Sequence, residues 1–248
     1  MIEWLFFILA GFVAQMIDGA LGMAYGVSLN SMLLSLGLSP VVASFNVHFS
    51  EIFTSMVSGA SHLKLGNVDK RLLWKLLIPG VLGGILGAYI LTSAPTDIIK
   101  PIVSIYLLAM GVIIILKAIH MKKSKKFKEH FKEAPALALC GGFLDAVGGG
   151  GWGPLVTSTL IAGGGNPRIS IGTVNLVEFF VTISQVATFA VFLRNIQWQI
   201  VTFLVIGGII AAPIASYTCK RAPTRLLLVL VGILVSLLSI RNIYLSLT

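Results

Sequence analysis

Charge is what this chain of 248 residues has least of: 11% of it is Asp, Glu, Lys or Arg, against 56% hydrophobic. No soluble domain needs so apolar a composition, and a mean hydropathy of +0.96 with long uncharged runs reads as membrane spans. Acids are scarcer than bases, 9 against 18, for a net charge of +9. The basic residues sit between the apolar segments, as they do in cytoplasmic loops, so the excess points to a lipid bilayer and not to nucleic acid. Cysteine occurs twice, at Cys140 and Cys219, with no pairing or metal-ligand spacing. That excludes a disulfide framework and a thiolate metal site, and predicts two buried, inert thiols. Walker loops, zincin helices and nucleophile elbows are missing, so neither an enzyme nor a pump driven by ATP on this chain alone is expected. No cofactor is implied. The opening MIEWLF lacks a basic region and a small-residue cleavage site, so no signal peptide is expected.

What the chain does have is one stretch used twice. Asp18 to Gly26 reads DGALGMAYG, and Asp145 to Gly153 reads DAVGGGGWG. Each sits inside an apolar segment and combines an aspartate, clustered glycines and an aromatic ring, Tyr25 or Trp152. Glycine costs about 1 kcal/mol against alanine inside a helix, so Gly148 to Gly151 in a row predict a break. Pro154 then suits the first position of a new helix. Each copy is read as two half-helices meeting at an unwound elbow. Such backbone is tolerated in a membrane only where it is buried in protein or lines a cavity.

The halves align without gaps at an offset of 127 residues. Asp18 pairs with Asp145, Gly22 with Gly149, Gly26 with Gly153, Ser31 with Ser158, Pro40 with Pro167 and Glu51 with Glu178. Residues 1–120 form the first repeat, 121–133 a basic linker and 134–248 the second repeat. Expected spans are Pro40–Ser61, Leu72–Leu91, Ile98–Ile119, Ile169–Leu193, Trp198–Cys219 and Leu226–Leu247. If all eight apolar segments cross, the loop bases divide thirteen to five; if each broken segment returns to its own side, fifteen to three. The second division fits the positive-inside rule better. The fold class expected is therefore an all-α integral membrane protein of two inverted repeats. Each repeat is a broken or re-entrant helix followed by three transmembrane helices. Both termini fall outside and the Lys122–Lys132 run is cytoplasmic. A long tilted helix with a central break is the alternative.

The candidate site lies at the elbows. Half-helices starting near Val27 and Pro154 would aim free N–H groups and a positive dipole end at the bilayer centre, a ready anion site. The substrate-binding candidates are Gly22, Tyr25, Gly26, Gly150, Gly151, Trp152 and Gly153, with Ser28, Thr157, Ser158, His48 and Asn175. The bland reading is that these glycines only let helices approach closely. Asp18 and Asp145 either cap the following turn or carry a proton. His48, Glu51, Ser55, Ser58 and His62 share one helical face, and Asn175, Glu178, Thr182 and Gln185 repeat its first four spacings. Acids at membrane depth mark ion or proton pathways, so Glu51 and Glu178 join Asp18 and Asp145 as proton-coupling candidates. Interhelical hydrogen bonding suffices for Ser55, Ser58 and Thr182. No metal site is expected. Gly80 to Gly87 read as small-residue helix packing.

The strings IDGALGMAYG, GLSPVVASFNVHFSE, SGASHLKLGNVD, GFLDAVGGGGWGP and GTVNLVEFF resemble the TauE/SafE family of bacterial membrane proteins, over nearly the whole chain. The resemblance implies a secondary transporter of the bacterial inner membrane that exports sulfite, sulfoacetate or a related organosulfur anion. Ala24 stands where that family's elbow commonly has another glycine. The expected partners are a small organosulfur anion or sulfur oxyanion, protons and lipid, with a homodimer left open. Two other readings stay open: a cation or divalent-metal exporter, since four acids converge, and a membrane component of an enzyme complex with no transport of its own.

Overall fold

The computed structural model describes residues 2–21, 23–119, 132–193, 196–219 and 224–247. Among these the chain is helical, with no strand. The elements are α1 (Ile2–Leu21), α2 (Tyr25–Ser35), α3 (Pro40–Lys64), α4 (Lys70–Ser93), α5 (Thr96–Ile119) and α6 (Ala134–Gly148). Then come α7, a π-helical turn Gly153–Thr157 continuing as Ser158–Ala162, α8 (Pro167–Phe192), α9 (Trp198–Cys219) and α10 (Thr224–Leu247). Among the described residues four helices are long and apolar enough to cross a membrane: Lys70–Ser93, Thr96–Ile119, Pro167–Phe192 and, within α10, Leu228–Ser246. With 25 residues, α3 is just as long, but its polar stripe lowers its hydropathy.

Local chemistry sets the helix starts in matching places. Ser39 accepts the Val42 N–H ahead of Pro40, and Asn166 accepts the Arg168 and Ile169 N–H groups ahead of Pro167. Asp69 caps α4 through the N–H groups of Arg71 and Leu72. Five of the six expected spans start or end two or three residues further out than hydropathy suggests, because caps and not apolar residues end them, and Trp198–Cys219 has the expected bounds.

The halves interlock by exchanging partners. In the sequence-distant pairings α1 lies along α9, α6 along α4, α5 along α10 and α3 along α8. Small residues permit the first two: a Cβ on Gly83 would lie 2.1 Å from the Leu139 carbonyl oxygen, and one on Gly207 2.0 Å from that of Ile8. Outward faces are apolar and exposed, as at Ile78, Leu82, Ile105, Ile210 and Leu237, which suits lipid. Cys140 belongs to that outer surface and is exposed, contrary to the buried thiol expected. The side chain of Cys219 lies outside the described residues, as does nearly all of the basic linker.

Each broken element starts and finishes at one end of the bundle. Trp4, Phe6 and Phe7 at the start of α1 share a recess with Leu36 and Leu38, just past α2, and with Ile196 to Ile200. Ala134 and Ala138 of α6 cluster with Leu160 of α7 and Leu72 of α4. The two clusters mark opposite ends. The Thr173 hydroxyl, near the start of α8, accepts the Asp69 N–H, whereas Phe192 at its far end shortly precedes Trp198. The 26 residues of α8 span roughly 39 Å between them. Exposed Lys64, Lys70, Arg71, Lys75, Lys132 and Arg168 gather at the Asp69 end.

Candidate functional site: a cavity where two helix breaks meet

Both breaks fall inside the bundle and touch. Helix α1 runs through Asp18 to Leu21, and α2 starts at Tyr25 after Ala24 takes φ +83°. Helix α6 runs through Asp145 to Gly148, after which Gly149 and Gly150 take φ +64° and +152°. Backbone at Gly150 lies against backbone at Gly26 and Val27, so close that a Cβ on Gly150 would sit 2.3 Å from the Val27 nitrogen. Only glycine fits there. Asn30 of α2 donates to the Gly148 carbonyl, tying the elbows together, and Ser44 of α3 donates to that of Ala146.

The two aspartates do matching work. Each sits in the last turns of the incoming helix, seven positions before the aromatic residue, and reaches across the break. Asp18 accepts the Tyr25 N–H, and Asp145 accepts the Trp152 N–H at 2.9 Å. Each thereby satisfies a donor at the start of an outgoing half-helix. Asp145 also accepts from Gln185 Nε2 at 3.0 Å. His48, fully buried, stands between two acids: its Nε2 is 3.6 Å from Asp145 Oδ2 and its Nδ1 3.5 Å from Glu51 Oε2.

A cavity of about 590 Å³ opens against the elbows. Its polar wall includes Asp18, Glu51, Asp145 and Glu178, with Ser50, Thr54, Ser58 and Asn175. Tyr25, Gly26, Gly150, Gly151 and Gly153 form its floor, and Phe53, Met56, Ile171, Val205 and Ile209 an apolar wall. No Lys or Arg lines it among the described residues. Tyr25 donates its hydroxyl to Ser50 at 3.0 Å, and Asn175 donates to Ser58 at 2.8 Å. His62 sits toward the basic end.

Of the residues singled out from sequence, the structure gathers Tyr25, Gly26, Gly150, Gly151, Gly153, Asn175 and the four acids around this cavity. Five others do not line it. Trp152 is buried among Val156, Val174 and Val181, its indole N–H donating to the Val174 carbonyl. Ser28, Thr157 and His48 are buried away from the lining. Ser158 turns to the Pro154 carbonyl and accepts from Lys117 Nζ. Gly22 lies outside the described residues.

Sequence reasoning missed Tyr106 and Lys117 on α5. The Tyr106 ring fills the space beside Gly148, and its hydroxyl donates to the Gly150 carbonyl at 3.0 Å. Lys117, in the last turn of α5, turns inward and donates to the Pro154 carbonyl. The signal was a polar group in an otherwise apolar span.

Among the described residues, an all-helical bundle with long apolar helices and an apolar outer face is that of a multi-pass membrane protein. The chain belongs to the sulfite exporter TauE/SafE family, whose model matches residues 7–242. It is similar to the probable membrane transporter protein YtnM of Bacillus subtilis (strain 168), with 41% identity over 244 residues, 96% of this chain and 81% of that protein. The probable membrane transporter protein ORF9 of Sinorhizobium sp is 24% identical over 245 residues, 95% of this chain and 90% of that protein. No solved structure matches. The family and both relatives are named for transport, not for an enzymatic reaction.

Proposed function

We propose that this protein is a secondary active transporter of the bacterial inner membrane that exports a small organosulfur anion or sulfur oxyanion, coupled to protons. The observation that carries the reading is the cavity itself: two broken helices meet there, and four carboxylates, Asp18, Glu51, Asp145 and Glu178, face it or edge it. The backbone at Gly26, Gly151 and Gly153, with Asn175, supplies donors to an anion. Glu51 and Glu178 are the groups that take and release the coupling proton. The two halves act as inverted repeats. Support comes from broken elements that enter from opposite ends and from the bases gathered at one end, which would be cytoplasmic by the positive-inside rule. One observation favours a second reading, a cation exporter: the cavity carries acids and, among the described residues, no Lys or Arg. A metal ion suits it less, since no group of three metal-ligating side chains is present among the described residues.

The test is a thermal-shift panel on detergent-purified protein with sulfite, sulfate, thiosulfate, taurine, sulfoacetate, chloride and divalent metals. A ligand at 100 times its Kd stabilises the folded state by about 2.7 kcal/mol. Stabilisation by a sulfur anion, lost in Asn175→Ala, supports the anion reading; stabilisation by cations alone replaces it. Transport by Glu51→Gln and Glu178→Gln at full rate and without pH dependence would remove the proton role.

A further inference from the structure

The cavity is lopsided, although the residues around it come in pairs. It opens between α3 and α9, where Ser55, Ser58 and His62 face Val205, Gly208 and Ile209. Gly208 meets nothing nearer than the Gln15 Cβ at 3.9 Å. Moved by the 127-residue offset, those α3 positions become Thr182, Gln185 and Phe189 on α8, each with 0% exposure. The counterpart of α9 is α4, and α4 closes directly on Val181 and Gln185 of α8. A Cβ on Gly80 would lie 3.1 Å from Val181 Cγ2, and one on Gly84 3.0 Å from Gln185 Cγ. The aromatic pair follows the same rule: Tyr25 lines the open side, whereas Trp152 is sealed beneath Gly80, its Cη2 2.7 Å from where a Cβ would stand.

The seam between α4 and α8 buries Gln185, whose Nε2 donates to Asp145 Oδ2 and to the Gly142 carbonyl, while its Oε1 has no hydrogen-bond partner among the described residues. An orphaned buried carbonyl costs about 1–3 kcal/mol. That cost is accounted for if the same face is wetted in another state of the molecule. The α3 stripe already shows what such a face does when wetted, since Ser55 and Ser58 border the cavity.

We propose that the seam between α4 and α8 is a second, closed pathway from the central cavity to the opposite end of the bundle, built for a small hydrophilic solute. Opening it parts α4 from α8 and brings α9 onto α3, so the cavity faces one end at a time. The inference rests on the transporter reading but not on the identity of the solute.

Thiol labelling tests it without any substrate. In a background carrying Cys140→Ser and Cys219→Ser, Ser58→Cys reports on the open side and Gln185→Cys on the seam. Membrane vesicles of each orientation are treated with an impermeant thiol reagent. Ser58→Cys labels from the face bearing Lys64, Lys70 and Arg71, and Gln185→Cys labels from the other face. Adding Gly84→Val wedges α4 off α8, raising the Gln185→Cys rate about tenfold and lowering that of Ser58→Cys. The proposal is overturned if Ser58→Cys labels while Gln185→Cys and a second seam probe, Thr182→Cys, stay unreactive from both faces with and without the wedge. Sulfur-anion flux through liposomes is read separately. Labelling from both faces without flux keeps the pathway and sinks the substrate assignment, and flux without seam labelling does the reverse.

Discussion

The elbow at Asp18 and the elbow at Asp145 are near copies in sequence and unlike in use. Both aspartates cap the outgoing half-helix seven residues on. Both elbows border the cavity, and at the first the aromatic ring, Tyr25, lines it too. Around the second, Gln185 and His48 crowd the carboxylate, Tyr106 fills the glycine run from behind, and Trp152 is sealed. One capping device therefore serves an open face and a closed one. Capping is local chemistry and survives either packing; what differs is which neighbouring helix has closed on the elbow.

The largest effect expected falls where the elbows touch. Gly150 combines φ +152° with a would-be Cβ contact of 2.3 Å on the Val27 nitrogen and 2.5 Å on the Gly26 Cα. Backbone cannot give way as a flexible side chain can. Gly150→Ala should therefore destabilise the protein by about 3 kcal/mol or more and cut the yield of folded protein. Thermal unfolding in detergent checks this. A loss under about 1 kcal/mol would mean that the elbows do not bear on one another as described.

The aspartates come next. Asp145→Ala removes the cap on Trp152 and leaves Gln185 Nε2 without one acceptor in a buried site, an expected loss of about 3 kcal/mol. Asp18→Ala removes one cap beside a cavity that water can enter, an expected loss of about 1 kcal/mol. Comparing the two melting temperatures tests the asymmetry directly. Equal losses would show that the extra partners of Asp145 contribute nothing.

Much of this was legible in the chain. Glycine runs and acids are rare in apolar spans, so the breaks, the duplicated halves and the four carboxylates stood out from composition and spacing alone. Helix starts were legible to within a few residues because Ser39–Pro40 and Asn166–Pro167 carry their own capping chemistry. The seam that is closed was not legible. Tyr25 and Trp152 occupy equivalent positions, as do His48 and Asn175, so nothing in their spacing says which is open. That depends on α4 lying against α8 while α9 stands off α3, a property of long-range packing. Tyr106 and Lys117 were missed for a related reason: their partners, Gly150 and Pro154, lie well outside α5.

The smallest effect sharpens the comparison at its mildest difference. Where the second elbow uses glycines at positive φ, the first uses Ala24 at φ +83°, the one non-glycine residue in that region among those described. The left-handed conformation costs alanine roughly 1–2 kcal/mol, which glycine does not bear. Glycine also frees the unfolded chain, at a cost of about 0.4–1 kcal/mol. The strain relieved is the larger of the two, and Ala24→Gly should stabilise the protein by roughly 0.8 kcal/mol. The methyl group lines the cavity, however, so its removal also widens the floor beside Tyr25. A rise in melting temperature with altered ligand-dependent shifts would assign Ala24 a part in shaping the site. A rise with unchanged ligand shifts would make it a matter of backbone strain alone.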